Sequence, residues 1–201
     1  RRYAGLNAGK VRSMVGVRLI GRGEREAERP RTGKESSEPE TFFKLVAVEP
    51  DGRHVSIFDG RTEYAIGVPL SQEVRAGHKG GLYVCQSVLD LLKLGPLPST
   101  SKKLDAPWAV VRLVGWGQTL RYDLASGGAK LAVENLIPVS FVAFPGDARD
   151  RFLARSLRQQ ASAREAREGG FSGASPLRLT HEEMEEVFED WRELMELLRT
   201  D

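Results

Sequence analysis

Through the middle of the chain the apolar residues fall in short blocks separated by turn formers, and only beyond residue 146 do they take helical spacing. Thr41 to Val48 carries Phe42, Phe43, Leu45, Val46 and Val48, and Glu49-Pro50-Asp51-Gly52 then turns the chain, because proline presets φ and glycine accepts the left-handed region. A return strand over His54 to Phe58 completes a hairpin, and Asp59-Gly60 leads into a third extended run, Thr62 to Ile66. Pro69 to Gly81 is polar and glycine-rich and reads as a surface loop. Leu82 to Cys85 is the next strand, and Ser87 N-caps a brief helix that stops before Gly95-Pro96. Trp108 to Val114 is the most apolar strand. Thr119 to Tyr122 continues it past Gly115-Trp116-Gly117, where a bulge is expected. Lys130 to Asn135 reads as a short helical piece and Leu136 to Phe144 as the last strand. Six or seven strands, mainly antiparallel, with short inserted helices and two helices at the C-terminal end, give an α+β fold.

The two terminal helices differ in kind. Asp147 N-caps a helix to about Glu168 that has few apolar residues and many arginines, among them Arg151, Arg155 and Arg158, and Gly169-Gly170 closes it. A second helix opens with a capping box, Thr180 with Glu183, and a hydrophobic staple, Leu179 with Met184. Its Met184, Val187, Phe188, Trp191, Leu194, Met195 and Leu198 recur at i, i+3, i+4, i+7, which makes one apolar stripe. That stripe needs a cover, either the protein's own sheet or a groove on a neighbour, and Phe188, Trp191 and Met195 are the residues expected to meet a partner.

Charge is distributed unevenly. The 201 residues carry a formal net charge of only +2, yet residues 1–34 hold ten Lys or Arg against three Glu, a net +7, and residues 180–201 hold nine acids against two Arg, a net −7. Residues 1–23 contain no acid, and Arg1-Arg2-Tyr3-Ala4 is similar to a mitochondrial processing pattern. Residues 22–40 have too few apolar side chains to offset their ordering entropy and read as a flexible linker. The expected organisation is a basic arm over 1–21, the linker over 22–40, a core domain over 41–145 and the C-terminal helices over 146–201. Arg1, Arg2, Tyr3, Lys10, Arg12 and Arg18 are the arm residues placed to grip a protein neighbour or to neutralise phosphates of RNA.

Catalytic chemistry finds little support in this composition. One cysteine, Cys85, makes no internal disulfide, and with His54, His78 and His181 it does not build a usual structural zinc site. Cys85 with His54 or His78 lacks a local nucleophile signature, and the glycine-rich pieces lack the context of a phosphate-binding loop. No apolar run approaches the roughly 20 residues of a membrane span. No cofactor and no metal are expected.

Two resemblances attach to particular residues. Gly81, Leu82, Tyr83, Cys85 and Asp90, followed by a Val-rich strand and by Lys130 with Val133, resemble a domain family of bacterial and phage proteins of unknown function, over roughly residues 42–143. That resemblance implies a compact domain and no particular activity. The strand from Gly81 into the Ser87 helix is also similar to the second element of ADP-ribosyltransferase-like folds. There Tyr83 would stack on a nicotinamide ring, Ser87 would orient it, and Glu134 would stand in the catalytic position. The expectation drawn from the whole chain is a non-catalytic structural subunit of a large assembly, mitochondrial or ciliary, that grips its neighbours through its terminal extensions. An RNA-contacting subunit of an organellar ribosome is the alternative, and the ADP-ribosyltransferase-like enzyme or an inactive relative is the third reading.

Overall fold

The computed structural model describes residues 30–98, 100–168 and 178–200, with side chains over 38–98, 100–165 and 178–200. The elements are β1 (Pro30–Val48), β2 (His54–Ser56), β3 (Leu70–Ser71), β4 (Leu82–Val84), α1 (Val88–Leu92), β5 (Trp108–Asp123), β6 (Ala129–Ala143), α2 (Gly146–Glu168) and α3 (His181–Thr200). The six strands form one antiparallel sheet in the order β2-β1-β5-β6-β3, with β4 also pairing on β6. With two C-terminal helices the fold is α+β.

The sheet curls into a ring. β4 pairs with β6 through Leu82–Val133 and Val84–Leu131. The next residue, Cys85, exchanges both backbone hydrogen bonds with Phe43 of β1 at 2.8 Å. Strands β1, β5, β6 and β4 are therefore joined all the way round, which removes the open edges a flat sheet would present there. Alternation along each strand sorts the side chains onto two faces. Phe42, Val46, Val111, Leu113, Leu131, Val133, Leu82 and Val84 fill the interior. Leu45, Ala47, Trp108 and Val110 face outward under the helices.

Four expectations are corrected. Residues 30–40, expected to be linker, form the first half of β1 and pair with the second half of β5, from Pro30–Tyr122 to Glu40–Gly115. Backbone pairing holds this segment, so its lack of apolar residues does not free it. Lys130 to Asn135 is part of β6, because Leu131 and Val133 point into the ring while Lys130 and Glu134 point out, a period of two that overrides the helical propensity of Ala, Lys and Leu. Within the expected loop 69–81, Leu70–Ser71 is a short edge strand on β6, and Thr62 to Ile66 makes only the single bridge Val55–Glu63. The expected bulge is present: the β5–β6 register shifts between Trp116 and Thr119, where Gly117 has φ +92°. A second shift pairs Arg112 with Ser140 but Leu113 with Pro138, leaving Val139 as an extra residue that faces outward.

The helices cover the outer face. Trp108 meets Phe144 and Phe152, with ring centroids 6.0 and 5.8 Å apart, and so joins the end of the sheet to α2. α3 has the predicted capping box, with Glu183 Oε2 accepting the Thr180 N–H at 2.9 Å and Thr180 Oγ1 accepting the Glu183 N–H at 3.2 Å. Its Val187 and Leu194 are buried in one cluster with Val88, Leu91 and Leu92 of α1 and Phe152 of α2. The stripe on α3 is thus covered largely by this protein's own body. No helix among the described residues is long and apolar enough to cross a membrane.

Candidate interaction site

The residues with catalytic potential are built into the framework. Ser87 accepts the Asp90 N–H at 3.0 Å and donates to Asp90 Oδ2 at 2.7 Å, and Asp90 Oδ1 accepts the Ala129 N–H at 3.1 Å. This pair caps α1 and ties it to the start of β6. Glu134 Oε2 accepts the Gln118 N–H at 2.9 Å across the β5 bulge, which satisfies a donor the ladder leaves over. Cys85 is buried, and desolvation together with the Asp90 carboxylate pushes its thiol up to about 12, far from a reactive thiolate at neutral pH. The Tyr83 ring lies in an aromatic group with His78 and Tyr122, with the Lys130 ammonium 5.8 Å from its centroid. His54 stacks on Phe141 at 3.7 Å, and burial lowers its pKa. Among the described residues no group of three or more His, Cys, Asp or Glu is placed to hold a metal ion.

Lys44 is a charged group that alternation sends into the ring, on the same face of β1 as Phe42 and Val46. Its ammonium donates to the Tyr83 carbonyl at 2.8 Å and lies 5.6 Å from the Tyr64 ring centroid, where it bridges β1 and β4 beside the single Phe43–Cys85 bridge. Desolvation lowers its pKa from 10.5 to about 8, partly offset by Cys85 and Asp59. Between those two pH values the unfolded chain holds a proton that the folded protein does not, so stability rises with pH across the window, by at most about 1.4 kcal/mol per pH unit. In the variant Lys44→Met, urea denaturation between pH 8 and 10.5 will show that rise flattened, with stability at pH 7 unchanged or higher.

Arg151, Arg155 and Arg158 of α2 are engaged within the molecule. Arg151 donates to Asp190 Oδ1 from Nε at 2.9 Å and from Nη2 at 2.5 Å. Arg155, only 2% exposed, donates to the Leu92 carbonyl at 3.1 Å and lies 3.7 Å from Glu186. Arg158 reaches Glu183 at 3.5 Å and Glu186 at 3.6 Å. Asp190 is fully buried, and desolvation raises its pKa despite the hydrogen bond from Arg151. An open cleft of about 500 Å³ beside Arg158, Gln159, Arg178 and Glu183 lets solvent screen the outer pairs, whereas in the Arg151–Asp190 pair the carboxylate is buried and the Arg151 side chain is 33% exposed. Other polar groups of α2 hold the long connection into β5: Ser156 Oγ accepts the Leu97 N–H, Gln160 donates to the Leu97 carbonyl, and Arg149 donates to the Ala106 carbonyl.

Of the residues expected to meet a partner, Trp191 and Met195 pack against the protein's own outer core, and Phe188, 42% exposed, stands at its rim. Arg1, Arg2, Tyr3, Lys10, Arg12 and Arg18 lie outside the described residues. The surface that sequence reasoning missed is apolar. Ile66 and Val68 are 62% and 52% exposed, and the Gly67 N–H between them donates to the Pro138 carbonyl at 2.9 Å, next to the bulged and exposed Val139. That hydrogen bond brings the turn that carries Ile66 and Val68 against the stretch of β6 that carries Val139. Alternation alone gives no sign of this, because Val139 points outward only through the register shift. Comparison of the chain with protein-family models, with curated proteins and with solved structures finds no match.

Proposed function

We propose that the protein is a non-catalytic binding subunit of a large assembly, held through its basic N-terminal arm and through the aliphatic patch at the β6 bulge. The patch carries the reading. Scattered surface leucines and valines are ordinary, but exposed Ile66 and Val68 on a turn that is hydrogen-bonded beside exposed Val139 supply neighbouring apolar surface of the kind another protein covers. The acid-free first 23 residues supply a second, electrostatic contact. The framework roles of Ser87, Asp90, Glu134 and Cys85 agree with this reading, since each is satisfied by a bond or by burial that a reaction would have to break.

The RNA-contacting alternative keeps the arm but loses α2, whose Arg151, Arg155 and Arg158 already face carboxylates. The test separates the two. The double variant Ile66→Asp/Val139→Asp will melt within a few degrees of the parent, because surface changes usually fall within about 0.5 kcal/mol, and will lose co-purification with its native protein neighbours. A chain lacking residues 1–21 will lose them too. Retention of both variants in the native particle would overturn the reading, and salt-sensitive RNA binding confined to the arm would replace it with the alternative.

A further inference from the structure

The cleft of about 500 Å³ lies between the second half of α2 and the first turn of α3, and its volume is within the range of small-molecule sites. Its lining divides into groups that answer one another and groups that do not. Arg158 meets Glu183 and Glu186 at 3.5 and 3.6 Å, and Glu183 also closes the capping box with Thr180. Arg178 and Glu182, both exposed, line the same cleft and have no ion-pair partner among the described residues. Gln159, only 4% exposed, lines it too, and its Nε2 has no hydrogen-bond partner. A buried amide donor without an acceptor is uncommon in a folded protein and calls for a bound group that supplies one. The last torsion of a glutamine is soft, so a small rotation presents this nitrogen to the cleft. Helix α3 adds donors of its own. The capping box uses the N–H groups of Thr180 and Glu183, which leaves those of His181 and Glu182 at the positive end of the helix dipole.

From this we infer that the cleft binds a small zwitterion with one carboxylate and one ammonium, the class of the free amino acids. Gln159 Nε2, Arg178 and the two first-turn N–H groups receive the carboxylate, and Glu182 receives the ammonium. Ser162, also in the lining, adds a hydroxyl that donates or accepts. Charge decides between this class and its rivals. A phosphate dianion would face Glu182, Glu183 and Glu186 in the same cleft, and a bare cation would leave Gln159 Nε2 and Arg178 unanswered. The zwitterion answers the orphaned donor and both unpaired charges at once. A ligand in this place bridges α2 to α3 and strengthens the hold of α3 on the body. The inference goes beyond the binding-subunit reading and does not rest on it.

The test is calorimetric titration of the full chain with L-serine, L-glutamine and L-arginine in turn, which span a small, a longer neutral and a cationic side chain. At least one will bind saturably and raise the melting temperature. Its N-acetyl derivative, without the ammonium, and its amide, without the carboxylate, will each bind about tenfold more weakly or worse. Arg178→Gln and Glu182→Gln, at exposed positions where the fold tolerates change, will each weaken binding about tenfold. Gln159→Met will do the same, and because it removes a buried donor that has no acceptor, the ligand-free variant will melt no lower than the parent. Failure of all three amino acids to bind would overturn the inference, as would equal binding of the N-acetyl derivative or the amide, or an affinity unchanged in both Arg178→Gln and Glu182→Gln. Binding of inorganic phosphate in place of the amino acids would overturn it too, by making the cleft a simple anion site.

Discussion

The variant Gly81→Ala will lose roughly 3–4 kcal/mol of stability in urea denaturation, from left-handed backbone strain and overpacking together. Gly81 has φ +89°, a conformation that L side chains rarely adopt, and a Cβ there would stand 2.8 Å from Ala132 Cβ and 3.2 Å from Val74 Cγ2. Relief would need β4 to draw back from β6. Only three residues of β4 pair with β6, and the strand leads straight into the Phe43–Cys85 bridge that closes the ring. The damage therefore reaches the β1 side, and near-ultraviolet signals of Tyr64 and Tyr83 should change along with the midpoint. Gly52→Ala is the control: its φ is +85°, but an added Cβ meets nothing, so it will show only the backbone strain, about 1–2 kcal/mol.

The second large effect belongs to Arg151. Replacing it by alanine leaves Asp190 fully buried without the hydrogen bonds at 2.9 and 2.5 Å that hold its charge. Breaking a buried pair from one side costs more than the pair itself contributes, and we expect a loss of about 3 kcal/mol, most of it in the docking of α3. The second change Asp190→Asn, in Arg151→Ala/Asp190→Asn, will recover part of that loss by removing the stranded charge. pH supplies an independent check. Because burial raises the Asp190 pKa, its contribution is fully present below the unfolded value and is lost as pH rises through the folded one; acidification will therefore stabilise Arg151→Ala relative to the parent, and Asp190→Asn will abolish that difference. A parent and an Arg151→Ala variant with equal midpoints would show that the pair contributes nothing.

Much of the fold was legible because burial leaves a period in the sequence. The hairpin around Pro50, the Trp108 strand and the capping box of α3 each combine that period with local turn or cap chemistry, and each is found in the structure. Residues 30–40 and 130–135 were misread for one reason: their conformation is set by hydrogen bonds to β5, a long-range influence that neither composition nor helical propensity records. The site was less legible than the fold. The arginines of α2 were visible in the sequence as a basic series, but the carboxylates that meet Arg151 and Arg158 lie 25–39 residues away along the chain. The opposite charges of the two helices were visible in the sequence, but their mutual contact was not. The Ile66, Val68 and Val139 patch depends on a bulge and one backbone hydrogen bond, and both appear only in three dimensions.

Binding as the occupation of this protein is tested most directly by its size in a gentle native extract. We predict elution in a particle far larger than the 22.3 kDa chain, and a shift to the size of the free chain on removal of residues 1–21 or in Ile66→Asp/Val139→Asp, with the fold retained. Elution of the parent as a free monomer, unchanged by either alteration, would contradict the account.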